Sequence, residues 1–245
     1  MTEPATALSA EAPPAKPSFF EDVIDVFFNP AAVFRRRADK SPWPAILTCA
    51  VLSAIVAIAT YNALSPAFDA EFARSSAKAI KANPQITQEM MDKGRGFGEM
   101  SVKYGSIIIV PIVIFVLGVV AWLVGKLVGA KQTFNAAIVV VAYAFFVRVL
   151  GNIIMGVEGL VMDPSKMTGL SSLAISPARF MNPDTASAMS LAIAGRLDLF
   201  VLWSTILIAV GLYVTGKVSR NKAVVFGILL WLVGSLPALL TGLRG

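Results

Sequence analysis

Arg148 is the residue whose type and position most demand a chemical explanation. It lies inside the apolar run Tyr143-Ala144-Phe145-Phe146-Val147-Arg148-Val149-Leu150-Gly151-Asn152. A charge at the centre of a membrane-spanning helix costs about 2.5–3.5 kcal/mol on insertion scales, so it needs a partner or a water-filled site. Asn152 is one helical turn further on and shares the face of Arg148. The acidic candidates are Glu158, later in the same run, and Asp198, near the start of the next one. A bridge from Arg148 to either would tie two helices together. Three readings of this intramembrane polar cluster follow. It is a buried site for an anionic solute, a lipid headgroup or a proton-coupled step; or it is an interhelical clamp without turnover; or the helix breaks near Gly151 and leaves Arg148 close to an interface.

No other set of residues suggests catalysis. The chain has no histidine, which removes the commonest general base and the commonest metal ligand. The acidic residues show no metal-ligand spacing within the apolar runs, and no serine sits in a nucleophile-elbow context. Glu21, Asp22 and Asp25 read as a solvated face near a helix start. The single cysteine, Cys49, lies in the first apolar run and reads as a small packing residue. The expectation is a protein with no catalytic residue, no metal and no cofactor.

The elements that must hold Arg148 are five long apolar stretches: Ala45–Leu64, Gly105–Gly125, Ala136–Met162, Leu197–Val214 and Ala223–Leu243. A helix needs about 20 residues to cross the roughly 30 Å hydrocarbon core. Hydrophobic residues make up 56% of the chain and charged ones 15%, outside the soluble range of about 45–50% and about 25%. The predicted fold is all-α: a polytopic membrane bundle of five transmembrane helices with amphipathic interfacial helices.

Residues 1–17 read as a disordered Ala/Pro-rich tail without the features of a signal peptide. Ser18-Phe19-Phe20-Glu21 has the form of a capping box. Phe20, Val23, Ile24, Phe27 and Phe28 then fall on one face of a short helix. Asn29-Pro30 starts a second helix that ends in Arg35-Arg36-Arg37. An aromatic face beside a basic cluster suits the membrane interface, with Phe20, Phe27, Phe28, Arg35, Arg36 and Arg37 as candidate lipid contacts; packing on the protein's own loops is the alternative. Residues 18–42 form this interfacial unit, and 43–245 the five-helix domain.

Between the first two spans, residues 65–103 read as an extramembrane helical hairpin. Ser65-Pro66 and Asn83-Pro84 are its helix starts, and Gly94-Arg95-Gly96-Phe97-Gly98 is a flexible connector. After the third span, Asn182-Pro183-Asp184 should open another helix, one that either stops or runs on into the fourth span. Gly125 with Gly129, and Ala50 with Ala54, have helix-contact spacing. These pairs leave a homo-oligomer open without establishing one. Pro111 and Pro237 should kink their spans. Trp43 reads as an interfacial anchor, and Trp203 and Trp231 as packing residues.

The net charge of +6 is dispersed, with no basic run interleaved with aromatics, so nucleic acid is not the expected partner. Anionic lipid headgroups of the bilayer are the simpler counterpart. Lys and Arg tie in number between the two sides, so their placement decides. Arg35–Lys40 and the short turns containing Lys126, Lys131, Lys217, Arg220 and Lys222 favour a cytoplasmic N-terminus and an outside C-terminus.

The N-terminal segment FEDVIDVFFNPAAVF, the Trp-Pro at the first span and the third-span Tyr-Ala-x-x-x-x-Arg resemble the bacterial branch of the Yip1 family over residues 18–243. The resemblance implies five helices, a cytoplasmic N-terminus, an integral membrane scaffold or adaptor, and no catalytic residue. Eukaryotic members act in vesicle trafficking and bind Rab GTPases through cytoplasmic tails. The tail here is short and low in complexity, so that partner is not carried over. The expected function is a non-enzymatic scaffold or adaptor of the plasma (inner) membrane with an unidentified membrane or cytoplasmic protein partner. The alternative is a small-solute, ion or lipid transporter using Arg148.

Overall fold

The computed structural model describes residues 18–244; the tail expected to be disordered lies outside them. The described residues form ten α-helices and three short 3₁₀ turns, without strands. In chain order they are α1 (Phe19–Phe28), α2 (Pro30–Arg37), α3 (Trp43–Ala82), α4 (Gln88–Tyr104), α5 (Ser106–Leu127), α6 (Phe134–Ala144), α7 (Phe146–Val161), α8 (Ala188–Arg196), α9 (Leu199–Gly216) and α10 (Arg220–Arg244). Five stretches are long and apolar enough to cross a membrane: α3, α5, the α6–α7 pair, α9 and α10. The protein is an all-α polytopic membrane bundle.

The third span is its axis. In its most apolar window 61% of the residues are buried, against 22–39% in the others. Helix α6 packs on α5 and α9, and α7 on α3 and α9, while α10 closes the bundle against α9. Lipid is as apolar as leucine, so close approach of small residues must supply the packing energy. A Cβ on Gly118 would come within 2.8 Å of Ile138. On Gly211 it would collide with Val140, and on Gly156 with Thr60. The Gly125/Gly129 pair divides its roles. Gly125 lies against Leu212 of α9, whereas Gly129, at φ +80°, makes the turn after α5.

Helix α3 does not stop at Ser65-Pro66. It runs 40 residues, about 60 Å at 1.5 Å per residue, twice what a bilayer core needs. Proline cannot donate to the carbonyl four residues back. Here the Ser65 hydroxyl donates to that carbonyl, Asn62 O, at 3.0 Å, so the helix continues. The second half of the hairpin starts at Thr87, whose side chain caps Met90, rather than at Asn83-Pro84. It runs helically through Gly94, Gly96 and Gly98 to Tyr104, and the predicted connector is part of α4. Arg95 reaches Asp69 at 2.7 Å, and Lys103 lies 4.0 Å over the Tyr61 ring, fastening α4 to α3. Asn182 also fails to open a helix. Its side chain folds onto the Asp184 amide at 2.8 Å, and Ser187 caps α8 instead.

The N-terminal helices form the capping box and the Asn29-Pro30 restart as predicted. They are wedged against the spans, however, not against loops. Helix α2 packs on α9 and α6, and Val26, Val33 and Phe34 belong to the main core. Phe19 meets Tyr143, and Phe27 meets Trp203 edge-on at 5.8 Å. Asp22, read from sequence as solvated, is fully buried and pairs with both Arg36 and Arg37. Asp25 pairs with Arg36 at 2.5 Å. Two carboxylates and two guanidiniums thus neutralise each other, which is the condition for burying them.

Asp22→Ala should therefore lower stability by about 3–5 kcal/mol, read as a large drop in thermal midpoint; an unchanged midpoint would show that the pairs contribute nothing. Gly211→Leu should cost about 3 kcal/mol through overpacking against Val140. Gly94→Ala, in open space, should gain about 0.5–1 kcal/mol from helix propensity. Thermal unfolding of the two glycine variants side by side checks the ranking.

Candidate functional site

The third span is interrupted at Phe145, three residues before Arg148, and not near Gly151. Arg148 is therefore in the first turn of α7, level with the start of α9. Asp198 is the N-cap of α9, and its Oδ1 accepts from the Phe200 and Val201 amides at 3.0 and 3.1 Å. The same oxygen is 3.9 Å from Arg148 Nη1, an ion pair too long for a hydrogen bond. The expected Arg148–Asp198 bridge thus exists as a loose contact. Glu158 is placed elsewhere: Arg179, from the following loop, grips both its oxygens at 2.9 and 2.8 Å.

Arg148, Asn152 and Asp198 open onto one cavity of about 830 Å³. Its roof is the segment between α7 and α9, strapped to the part of α3 beyond Pro66. Arg74 donates to Asp184 at 2.8 Å and to the Thr168 carbonyl at 2.5 Å. Glu71 accepts from the Leu170 amide at 3.3 Å. On the far side, the Leu199 amide donates to Ile175 O at 3.0 Å, fixing the roof to the start of α9. Sequence reasoning missed Arg74, Ser176, Arg179 and Arg196. Only Arg196, two residues before Asp198, carried a local signal.

Arg196 ends α8. Its Nε donates to Ser235 Oγ at 3.0 Å and its carbonyl accepts from Trp231 Nε1 at 3.0 Å, both on α10. Burial and the nearby Arg148 lower the Arg196 guanidinium from its ordinary pKa, and Asp198 opposes them. Arg148 thus faces a carboxylate that is already engaged in capping a helix.

At the N-terminal helices, Phe20 and Phe28 point outward, 75% and 84% exposed, with Ile24 between them. Phe27 turns inward onto Trp203. Arg35 is exposed, while Arg36 and Arg37 are directed at Asp22 and Asp25.

The Yip1 domain model matches residues 24–241. The chain belongs to the Yip1 family. It is similar to the membrane protein YknW of Bacillus subtilis (strain 168), with 25% identity over 230 residues, covering 93% of this chain and 91% of the relative. No solved structure matches it. The Yip1 match begins inside α1 and takes in α2, all five spans and the cavity roof. The wedged N-terminal helices are thus part of the Yip1 domain and not an appendage to it.

Because its ion pair is loose and its side chain 41% exposed, Arg148→Leu should change the stability of this Yip1 protein by no more than about 1 kcal/mol. Glu158→Ala, which strands Arg179, should cost about 1–3 kcal/mol. Thermal midpoints in detergent test this order, and a greater loss for Arg148→Leu would restore the clamp as the main role of Arg148.

Proposed function

We propose that this Yip1 family protein is a non-enzymatic scaffold or adaptor of the plasma (inner) membrane, with a cytoplasmic N-terminus and an outside C-terminus. It holds a protein partner at the membrane surface through the α3–α4 hairpin. The observation that carries this reading is the length and finish of that hairpin. About 24 Å of α3 continues past the span, from the 16 residues after Pro66. Beside it, α4 presents Met90, Phe97, Met100 and Tyr104 on one exposed face. Gly94, Gly96 and Gly98 have nothing within contact distance, so a partner could approach that backbone closely.

The orientation rests on where the basic turns gather. Lys126 and Lys222 line one shallow depression, so the turns after α5 and α9 lie side by side. Asn135, at the start of α6, donates to the carbonyls of Ala38 and Lys40 at 3.1 and 2.9 Å, which brings the α2–α3 turn towards the same end. A basic end of this kind belongs on the cytoplasmic side. The hairpin and the cavity roof then face outside.

Photo-crosslinkers at Phe97 and Met100 in native membranes should yield a reproducible protein adduct. That protein should cease to co-purify when both positions are serine, with the thermal midpoint unchanged. Adducts with lipid alone, together with an unchanged set of co-purifying proteins, would overturn the adaptor reading.

A further inference from the structure

The cavity beneath the α7–α9 segment contains polar groups that the fold leaves without partners. Arg148 has five N–H donors and, among the described residues, only the 3.9 Å contact with Asp198. Asn152, one turn along α7, is exposed to the cavity without a hydrogen bond in the described structure. Ser176 also lines it: the residue is 7% exposed and its hydroxyl oxygen has no partner. Its neighbour Ile175 is bonded to Leu199, so Ser176 is held beside the start of α9. Leaving a buried hydroxyl such as that of Ser176 unpaired costs about 1–3 kcal/mol unless a ligand or water takes it.

The unused donors of Arg148 say what kind of ligand. The acids on the wall are all engaged: Asp184 with Arg74, Glu71 with the Leu170 amide, Asp198 with its helix. Lys78 adds a cation at the rim. The charged groups of the wall balance in number, three acids against three bases, yet Arg148 keeps its hydrogen-bond donors free for a ligand. A guanidinium fork matches the geometry of a phosphate, and amide and hydroxyl groups supply further donors. The remaining wall is apolar, with Met155, Leu173, Leu191 and Phe200. The volume of about 830 Å³ is that of an ordinary ligand site and exceeds what a bare ion needs.

We propose that this cavity binds a phosphate-bearing anion, most naturally the phosphodiester headgroup of an anionic lipid, with Arg148 as its charge partner and Asn152 and Ser176 as hydrogen-bonding groups. The site is independent of the hairpin face and does not rest on the adaptor reading. Its bulk contact is with the glycerol end of the lipid, against the apolar wall. Arg74 ties the α7–α9 roof above it to α3.

The test is the thermal midpoint of the purified protein in nanodiscs of phosphatidylcholine, with phosphatidylglycerol or inorganic phosphate added in turn. A ligand that binds only the folded state raises the midpoint. Phosphatidylglycerol should raise that of the wild type by several degrees, and Arg148→Leu should abolish the rise. Lys222→Ala, at the opposite end of the bundle, should keep it. If phosphate alone gives the same Arg148-dependent rise, the site stands and its ligand is the free anion. If Arg148→Leu does not fold, Asn152→Leu, at an exposed position, should shrink the rise at least twofold. A rise that survives both variants, or no rise with either addition, overturns the proposal.

Discussion

The side chain of Asp198 governs more of this structure than any other single group. By taking the amides of Phe200 and Val201 it determines where α9 begins, and so limits that span to 18 residues. That is about 27 Å of helix, while α3 continues far beyond the bilayer. A short span among long ones leaves space above its end. The segment from Met162 to Leu197 fills part of that space, and the cavity is the remainder. The same carboxylate faces Arg148 at 3.9 Å. A helix N-terminus already favours negative charge, so Asp198 is stabilised there without Arg148, and the guanidinium stays available.

Charge elsewhere in the bundle is neutralised locally. Asp22 and Asp25 against Arg36 and Arg37 allow α1 and α2 to lie in the groove between α6 and α9. Glu158 against Arg179 ties the end of α7 to the loop that roofs the cavity. Arg74 ties the same roof to α3. Each pair joins separate segments within 3 Å. Arg148 departs from that pattern.

The two ends of the bundle differ in make-up. One end gathers the basic turns and the start of α6, and the other carries the hairpin, the roof and the cavity. Between them the first half of the third span is enclosed, with every residue from Ala136 to Ala144 buried. Its interruption at Phe145 lies at the boundary between the tightly packed part and the cavity.

What the sequence determined by itself was set by solvent and by local capping. Five apolar runs had to become helices, because a backbone in lipid must bond within its own segment. Ser18 with Glu21, and Asn29-Pro30, carry their capping information within four residues, and both were legible. The singling out of Arg148 and Asp198 was legible too, because a charge in an apolar run stands out in composition. Which acid Arg148 would face was a tertiary matter. It depended on α9 starting at Asp198 and on Arg179 reaching Glu158 from a loop. The burial of Asp22 was equally invisible, since a carboxylate on a helix face looks solvated until two arginines from the next helix fold onto it. Ser65 rescued a carbonyl that Pro66 alone would have stranded, and packing on α3 carried α4 through three glycines. Local preference amounted to about 1 kcal/mol for each glycine and about 3 kcal/mol for the proline, and the contacts made in the folded bundle outweighed it.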